Sequence, residues 1–429
     1  MPAFHPKVAM NRSLLIALLL LAMPTATRAQ DWPFFRGPHR DGISTDANVP
    51  LEWGKEKNVR WRTLLPQPGN SSPIVFKDRV FLTCAQDKKG MQRSLYCFDR
   101  ADGKQRWLQT VTWERADPTH PENPYCGSSP ATDGERVVVW HGSAGLFCYD
   151  LDGKQLWKTD LGIFRHIWGY ASSPVIHGDR IYLNCGPGTR SFLVCLDKTS
   201  GKIIWQTEEP GGAPDKDAEH PDWLGSWGSP VITTIDGKEQ ILVYQPKHVR
   251  GYDPEIGKIL WTCEGAGLLA YTDVILGDVD GIGKVAVAMG GYGGKAIGFK
   301  PGGSGDITST RRLWQSTARP PQRIGSGIIL DNHLFIVNEP GVECIDPVTG
   351  KTLWNKRFTG ENFWSSLVST PGRLYATSHK GHTYVFEPSA KEFKLMATND
   401  LGERINATPA ISSGQLFIRS WKALYCIGQ

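Results

Sequence analysis

Short apolar runs, each about as long as a β-strand, recur along the chain in one fixed order. A run ending in an acidic residue is followed within a few positions by Gly-Lys-x-x-Trp, whose Trp opens the next run. Tyr96-Cys97-Phe98-Asp99 precedes Gly103 to Trp107, Phe147-Cys148-Tyr149-Asp150 precedes Gly153 to Trp157, and Val194-Cys195-Leu196-Asp197 precedes Gly201 to Trp205. The same order returns at Asp253 with Gly257 to Trp261, and at Asp346 with Gly350 to Trp354. The pattern predicts strand, tight turn, strand. The Asp carboxylate accepts from backbone N–H groups ahead of it, the Gly takes the positive φ of the turn, and the Trp enters the following strand.

A second signal precedes each hairpin by a further strand pair: Ser71-Ser72-Pro73, Ser128-Ser129-Pro130, Ser172-Ser173-Pro174, Gly228-Ser229-Pro230 and Ala407-Thr408-Pro409, with weaker equivalents at Ser326-Gly327 and Ser365-Ser366. Pro has no N–H and suits the first residue of a strand, so each triplet is expected to open the innermost strand of a four-stranded unit. The aromatics Trp61, Trp107, Trp157, Trp205, Trp261, Trp314, Trp354 and, by spacing, Phe393 mark the outer strands at steps of about 39 to 56 residues. Repeats of that period signal propeller blades.

The expected fold is therefore all-β, an eight-bladed propeller of four-stranded blades. Units around residues 271 to 314 and 365 to 393 are degenerate, which leaves seven blades as the alternative count. Trp61 precedes every opening triplet, and the last unit ends at Leu424-Tyr425-Cys426-Ile427 with no aromatic strand after it. The N-terminal strand is thus expected to close the last blade, which removes two exposed sheet edges.

Composition agrees with many short strands: the 429 residues include 47 Gly, 29 Pro and 16 Trp. Residues 1–29 read as a signal peptide, with Lys7 and Arg12, an apolar run from Leu14 to Met23, and small residues ending at Ala29. Residues 30–49 form an N-terminal extension and residues 50–429 the propeller. Without Lys7, Arg12 and Arg28 the formal charge falls from +5 to +2, which gives no electrostatic case for nucleic acid. No later stretch is apolar enough for a membrane span, so an exported protein, periplasmic or extracellular, is expected.

The Ser-Ser-Pro opening, the Leu/Tyr-x-Cys-x-Asp strand and Gly-Lys-x-x-Trp resemble the repeats of the pyrroloquinoline-quinone-like propeller superfamily, over essentially residues 50 to 429. That superfamily contains quinone-dependent dehydrogenases and also non-catalytic members similar to the outer-membrane assembly factor that scaffolds β-barrel insertion. The resemblance implies the fold and leaves the function open between the two.

Candidate chemistry is sparse. Cys97, Cys148, Cys195, Cys344 and Cys426 hold one strand position in five repeats, too far apart to bond one another, and read as buried small hydrophobes. Cys84, Cys126, Cys185 and Cys263 are less patterned, and one pair among them is open to bonding. No two Cys are adjacent, whereas the resemblance implies a ring of neighbouring Cys against the cofactor in the dehydrogenases. Asp278-Val279-Asp280-Gly281 resembles the start of a calcium loop, but Met289 stands where the closing carboxylate belongs, so a plain turn is expected. His-Glu-x-x-His, Gly-x-x-x-x-Gly-Lys-Ser/Thr and Gly-x-Ser-x-Gly are absent, and His166 and His220 read as loop residues.

The residues just before each opening triplet should ring one channel mouth: Asn70, Tyr125, Tyr170, Trp227, Tyr271, Arg323, Trp364 and Asn406, with Arg404 close by. Aromatic faces, amides and two guanidinium groups would converge there, below long loops at Trp113 to Cys126 and Gln206 to Ser226. The expected function is a binding or scaffold module taking a protein, peptide or glycan partner at that mouth. The alternative is a quinone-dependent oxidoreductase acting on an alcohol or sugar, with Arg323 and Arg404 meeting the carboxylates of pyrroloquinoline quinone and Ca2+ polarising its quinone.

Overall fold

The computed structural model describes residues 1–3, 30–188, 190–209, 224–316 and 321–429. The signal-peptide reading rests on residues 4–29, and His220 with most of the Gln206 to Ser226 loop on residues 210–223; both lie outside the described residues.

Eight blades radiate around a channel, seven of them four-stranded sheets and the fourth carrying a short fifth strand at its outer edge. Seven of the eight are built in chain order from the inside outward, beginning with the innermost strands Ile74–Phe76, Ala131–Thr132, Val175–His177, Val231–Ile235, Ile275–Val279, Ile328–Leu330 and Val368–Thr370. The eighth runs from Ala410–Ser412 through Gln415–Arg419 and Ala423–Ile427, and its outermost strand is Val59–Leu64 from the other end of the chain. The expected closure is therefore present. The hydrophobic cores lie between neighbouring blades: Phe81, Leu95 and Cys97 of the first pack against Val137, Val139 and Tyr149 of the second.

Register explains the repeated residue types. Cys97, Cys148, Cys195, Cys344 and Cys426 stand opposite Trp107, Trp157, Trp205, Trp354 and Trp61 on the adjacent outer strand. Gly251 and Gly298 take the same place opposite Trp261 and Trp314, whose rings leave no room for a Cβ. The position is thus reserved for small side chains. All nine thiols are free and buried, Cys84, Cys126, Cys185 and Cys263 included.

Six of the seven outer-strand indoles also tie their blade to the next. Trp61 Nε1 donates to Arg100 O (2.8 Å), Trp107 to Leu151 O (2.9 Å), Trp157 to Lys198 O (3.0 Å) and Trp205 to Pro254 O (3.0 Å), all in the following blade's hairpin turn. The Gly of that turn lies flat beneath the same ring. A Cβ on Gly201, at φ +68°, would come within 2.5 Å of Trp157. The Gly-Lys-x-x-Trp pentad is therefore an interlock between blades as well as a hairpin.

The degenerate units depart in instructive ways. The fifth blade has no pentad, and Trp261 bonds Gln240 Oε1 (2.7 Å) instead, while Gly305–Asp306 adds a short parallel strand beside it. Asp278 to Gly283 form a hairpin turn, with Asp280 held by Asn332 of the next blade. In the seventh blade Phe393 precedes the outer strand Leu395–Asp400, and the place opposite the small-residue position belongs to Ala397. Spacing alone misplaced the aromatic by four residues. Phe393 fills the space beside Trp354 instead, with ring centroids 5.8 Å apart.

Residues 30–49 cross the channel on one side. Trp32 pairs with Val75 through two 2.8 Å backbone bonds, Thr132 N–H donates to Pro33 O, Ser44 N–H to Ser369 O, and Ser412 Oγ to Gln30 O. Arg36 donates to Gly327 O (2.6 Å) and Arg40 to Ile176 O (2.6 Å). One short segment thus touches the first, second, third, sixth, seventh and eighth blades, and Phe35 projects into the channel.

Candidate functional site

The channel is organised by a belt of hydrogen bonds that contributes one residue per blade. Ser72 N–H donates to Ser129 Oγ (2.8 Å), Ser129 N–H to Ser173 Oγ (3.0 Å), and Ser173 N–H to Ser229 Oγ (3.0 Å). Ser229 N–H then donates to Asp273 Oδ1 (2.7 Å), Asp273 N–H to Ser326 Oγ (3.0 Å), and Ser326 N–H to Ser366 Oγ (3.0 Å). Ser366 N–H to Thr408 Oγ1 (2.9 Å) and Thr408 N–H to Ser72 Oγ (2.9 Å) close the circle. These N–H groups sit where the innermost strands begin and have no strand partner, so a side-chain oxygen from the neighbouring blade satisfies each one. That requirement accounts for the Ser or Thr of the opening triplets.

Strand geometry places the residue two positions before each belt residue on the same, channel-facing side. Those residues are Asn70, Gly127, Ala171, Trp227, Tyr271, Ile324, Trp364 and Asn406, and all eight line a cavity of about 370 Å³. Asn70, Trp227, Tyr271, Trp364 and Asn406 are thus brought together as the sequence indicated. Tyr170 and Arg323 lie three positions before the belt, Tyr125 and Arg404 four, and none of them lines the cavity. For Tyr170 and Arg323 the shift of one residue turns the side chain to the opposite face, whereas Tyr125 and Arg404 are drawn to Asp117 and Glu122 of the loop between the first two blades.

Each displaced residue has an internal partner. Arg323 is buried and bonds Glu343 Oε1 at 2.6–2.7 Å. Tyr170 packs against Trp140 (4.9 Å between centroids) and faces the Arg93 guanidinium, and burial raises its phenol well above the usual range. Tyr125 donates to Asp117 O (2.9 Å). Arg404 stacks on Trp421 (3.9 Å) and pairs with the Glu122 carboxylate.

Glu122 belongs to the long loop between the first and second blades, and it anchors that loop over the mouth. Its carbonyl accepts from Asn70 Nδ2 (2.8 Å) and Asn406 Nδ2 (3.1 Å), while its carboxylate also meets His379 Nε2 (3.2 Å). His379 lies against Trp364 (5.0 Å), and burial depresses its pKa to about 4, so it is neutral near pH 7. Because both amide NH2 groups are committed to the Glu122 carbonyl, the Oδ1 atoms of Asn70 and Asn406 are left buried without partners.

Sequence reasoning missed several lining residues. Trp168 meets Trp227 (6.0 Å) and Tyr271 (6.1 Å) to build an aromatic wall, and Trp227 and Tyr271 stand edge to face at 5.0 Å. His120, Asn123, Gln322 and Tyr292 come from the mouth loops and Phe35 from the N-terminal segment, which carry no repeat signal. Asp273 is the one carboxylate among the described lining residues. Burial raises its pKa, opposed by Arg36, whose Nη1 lies 3.9 Å from Oδ2. Thr272-Asp273-Val274 does not look like Ser-Ser-Pro, yet counting from the repeat finds it, since its side-chain oxygen does the same work as the serines.

Pyrroloquinoline quinone with Ca2+ is a poor match to this donor set. The described lining residues include no Lys or Arg to meet the cofactor carboxylates, because Arg323 and Arg404 are committed to Glu343 and Glu122. Ca2+ takes six to eight oxygens, usually with several carboxylates. Asp273 stands alone, with one oxygen already bonded to Ser229 N–H.

The family described as outer membrane protein assembly factor BamB matches residues 91–262, 166–305 and 303–418. A polyvinylalcohol dehydrogenase from a Pseudomonas species is 22% identical over 466 residues, spanning 88% of this chain and 70% of that protein. A tetrathionate hydrolase from Acidithiobacillus ferrooxidans is 21% identical over 291 residues, 66% of this chain but only 53% of that protein. Among solved structures, BamB from Moraxella catarrhalis superposes with a TM-score of 0.58 at 15% identity, over 86% of this chain and 96% of that one. A europium-containing methanol dehydrogenase gives 0.65 at 12% identity, over 92% and 90%. At these identities the structural likenesses establish the propeller fold alone.

Proposed function

The chain belongs to the outer membrane protein assembly factor BamB family, and from that premise we propose that it is an exported binding module that engages a protein, peptide or glycan partner through its channel-mouth loops. The observation that carries this reading is the state of the two mouth guanidinium groups. Both are spent on internal carboxylates, and the described lining residues offer aromatic faces, amide side chains and hydroxyls but no Lys or Arg. Such a surface holds a ligand by stacking and hydrogen bonding. The Glu122 anchor gives the mouth a fixed shape, which lowers the ordering cost of binding.

The oxidoreductase reading draws on the polyvinylalcohol dehydrogenase relatives and on Asp273, the one carboxylate among the described lining residues. The experiment that separates the two is dye-linked turnover. Purified protein is incubated with pyrroloquinoline quinone and Ca2+, then given primary and secondary alcohols, polyvinyl alcohol and aldoses. The binding-module reading expects no dye reduction above a protein-free control. Turnover that Asp273→Asn abolishes would replace it with the oxidoreductase.

A further inference from the structure

The chemistry of the cavity narrows the ligand class within the binding-module reading, on which this inference rests. Three observations act together. First, Asn70 Oδ1 and Asn406 Oδ1 are buried acceptors without donors, fixed in orientation because their NH2 groups grip the Glu122 carbonyl. An unsatisfied buried acceptor costs about 1–3 kcal/mol, so a ligand that supplies O–H or N–H groups there is favoured. Second, the belt hydroxyls accept an N–H each, which leaves their own O–H hydrogens available as donors along the channel wall. The cavity therefore presents hydroxyl donors at its waist, and the two amide side chains of its rim carry oxygens without partners.

Third, the walls are aromatic and the charge is balanced. Trp227, Tyr271 and Trp364 all line the cavity, Trp227 and Tyr271 in contact with each other and Trp364 against His379, and their rings offer apolar surface to the C–H faces of a ligand ring. Among the described lining residues Asp273 is the only carboxylate, with Arg36 at 3.9 Å, and none is a Lys or Arg that could hold an anion. An anionic ligand would lose its hydration without gaining a counter-charge, and a cationic one would find the Asp273 charge already offset. A neutral ligand that combines apolar faces with hydroxyls at its edge meets all three conditions.

We infer that the channel mouth binds the terminal sugar of a neutral glycan, a pyranose ring seated against the aromatic lining of Trp227, Tyr271 and Trp364 with its hydroxyls meeting the belt hydroxyls and the amide side chains of Asn70 and Asn406. The cavity of about 370 Å³ lies within the size range of small-molecule sites, so it takes the end of a chain rather than a long segment.

The test is an array of neutral oligosaccharides with varied terminal hexoses and N-acetylhexosamines, probed with labelled full-length mature protein and followed by titration of each hit into wild type, Trp364→Ala and Asn406→Ala. Expected is retention of one terminal-sugar class, competed by the free saccharide, with at least tenfold weaker binding in both variants at unchanged far-ultraviolet dichroism. Asn70→Ser serves as a second rim variant if Asn406→Ala does not fold. Retention of no neutral glycan, or binding equal in wild type and variants, overturns the inference. Two further probes separate it from the reading beneath it. Choline that binds wild type and not Trp364→Ala would leave a binding module with the wrong ligand class. Alcohol-dependent dye reduction by protein loaded with pyrroloquinoline quinone and Ca2+ would remove the binding module itself.

Discussion

Two adjacent serines of the third blade make the belt testable, because the structure assigns them opposite weights. Ser173 Oγ accepts the N–H of Ser129, a residue 2% exposed, at 3.0 Å. Ser172 Oγ is equally buried and has no partner. Ser173→Ala removes the acceptor and leaves a buried N–H unsatisfied, at a cost of about 1–3 kcal/mol. Ser172→Ala replaces an unpartnered hydroxyl by a methyl and should be neutral or slightly stabilising. Thr supplies the same oxygen at position 408 of the eighth blade, so Ser173→Thr should retain most of the stability. Equilibrium unfolding in urea reads the effect as a shift in midpoint at constant slope. In a chain of this length about 2 kcal/mol moves the melting temperature by only a few degrees, so denaturant is the better axis. Equal midpoints for Ser172→Ala and Ser173→Ala would refute the belt as a stabilising device.

Four further outcomes follow from the same structure. Gly201→Ala should cost about 2–5 kcal/mol, combining a left-handed φ with a Cβ 2.5 Å from Trp157, whereas Gly178→Ala, also left-handed but with nothing within 4 Å, should cost about 1–2 kcal/mol; calorimetry of the pair checks the interlock. Deleting residues 50–64 removes the outer strand of the eighth blade and should give aggregation or a large loss of thermal stability, read by light scattering and a melting curve. The repeat thiols Cys97, Cys148, Cys344 and Cys426, whose pKa burial pushes up to about 12, should label slowly in native protein and rapidly in denaturant. His141 is fully buried and its pKa is held down to about 3, so the folded state refuses a proton that the unfolded chain accepts below about 6.5. Stability from this group is present above that value and falls as the pH drops toward 3, by up to about 1.4 kcal/mol per pH unit, and urea midpoints for His141→Leu should show a shallower acid slope.

The blade count, the closing strand and the buried thiols were legible because each is a repeated requirement: a turn that needs Gly, an indole that needs a small neighbour, and an edge that needs a partner. The limits have physical causes too. Phe393 was assigned by distance along the chain, but a longer turn in the seventh blade shifts the register and gives the position to Ala397. Tyr170 and Arg323 were read as channel residues because they adjoin the opening triplets, yet strand alternation makes two positions before the belt face the axis and three face away. Arg323 illustrates the consequence, since a guanidinium turned into the blade must find a carboxylate, and Glu343 supplies it. Asn123, Trp168 and Phe35 reach the cavity from segments with no period, where one copy of a loop gives nothing to compare. Residues 30–49 were an extension without a role on paper, and the structure gives them the closed side of the channel.

The central claim is that the described residues lining the mouth include no Lys or Arg, with Arg323 and Arg404 committed to Glu343 and Glu122. Calorimetric titration of pyrroloquinoline quinone, in the presence of excess Ca2+, into the purified protein tests it most directly. The account predicts no saturable heat at concentrations up to about 1 mM, in wild type and in Asp273→Asn alike. One-to-one binding with a micromolar dissociation constant, weakened by Arg323→Ala or by Asp273→Asn, would contradict it.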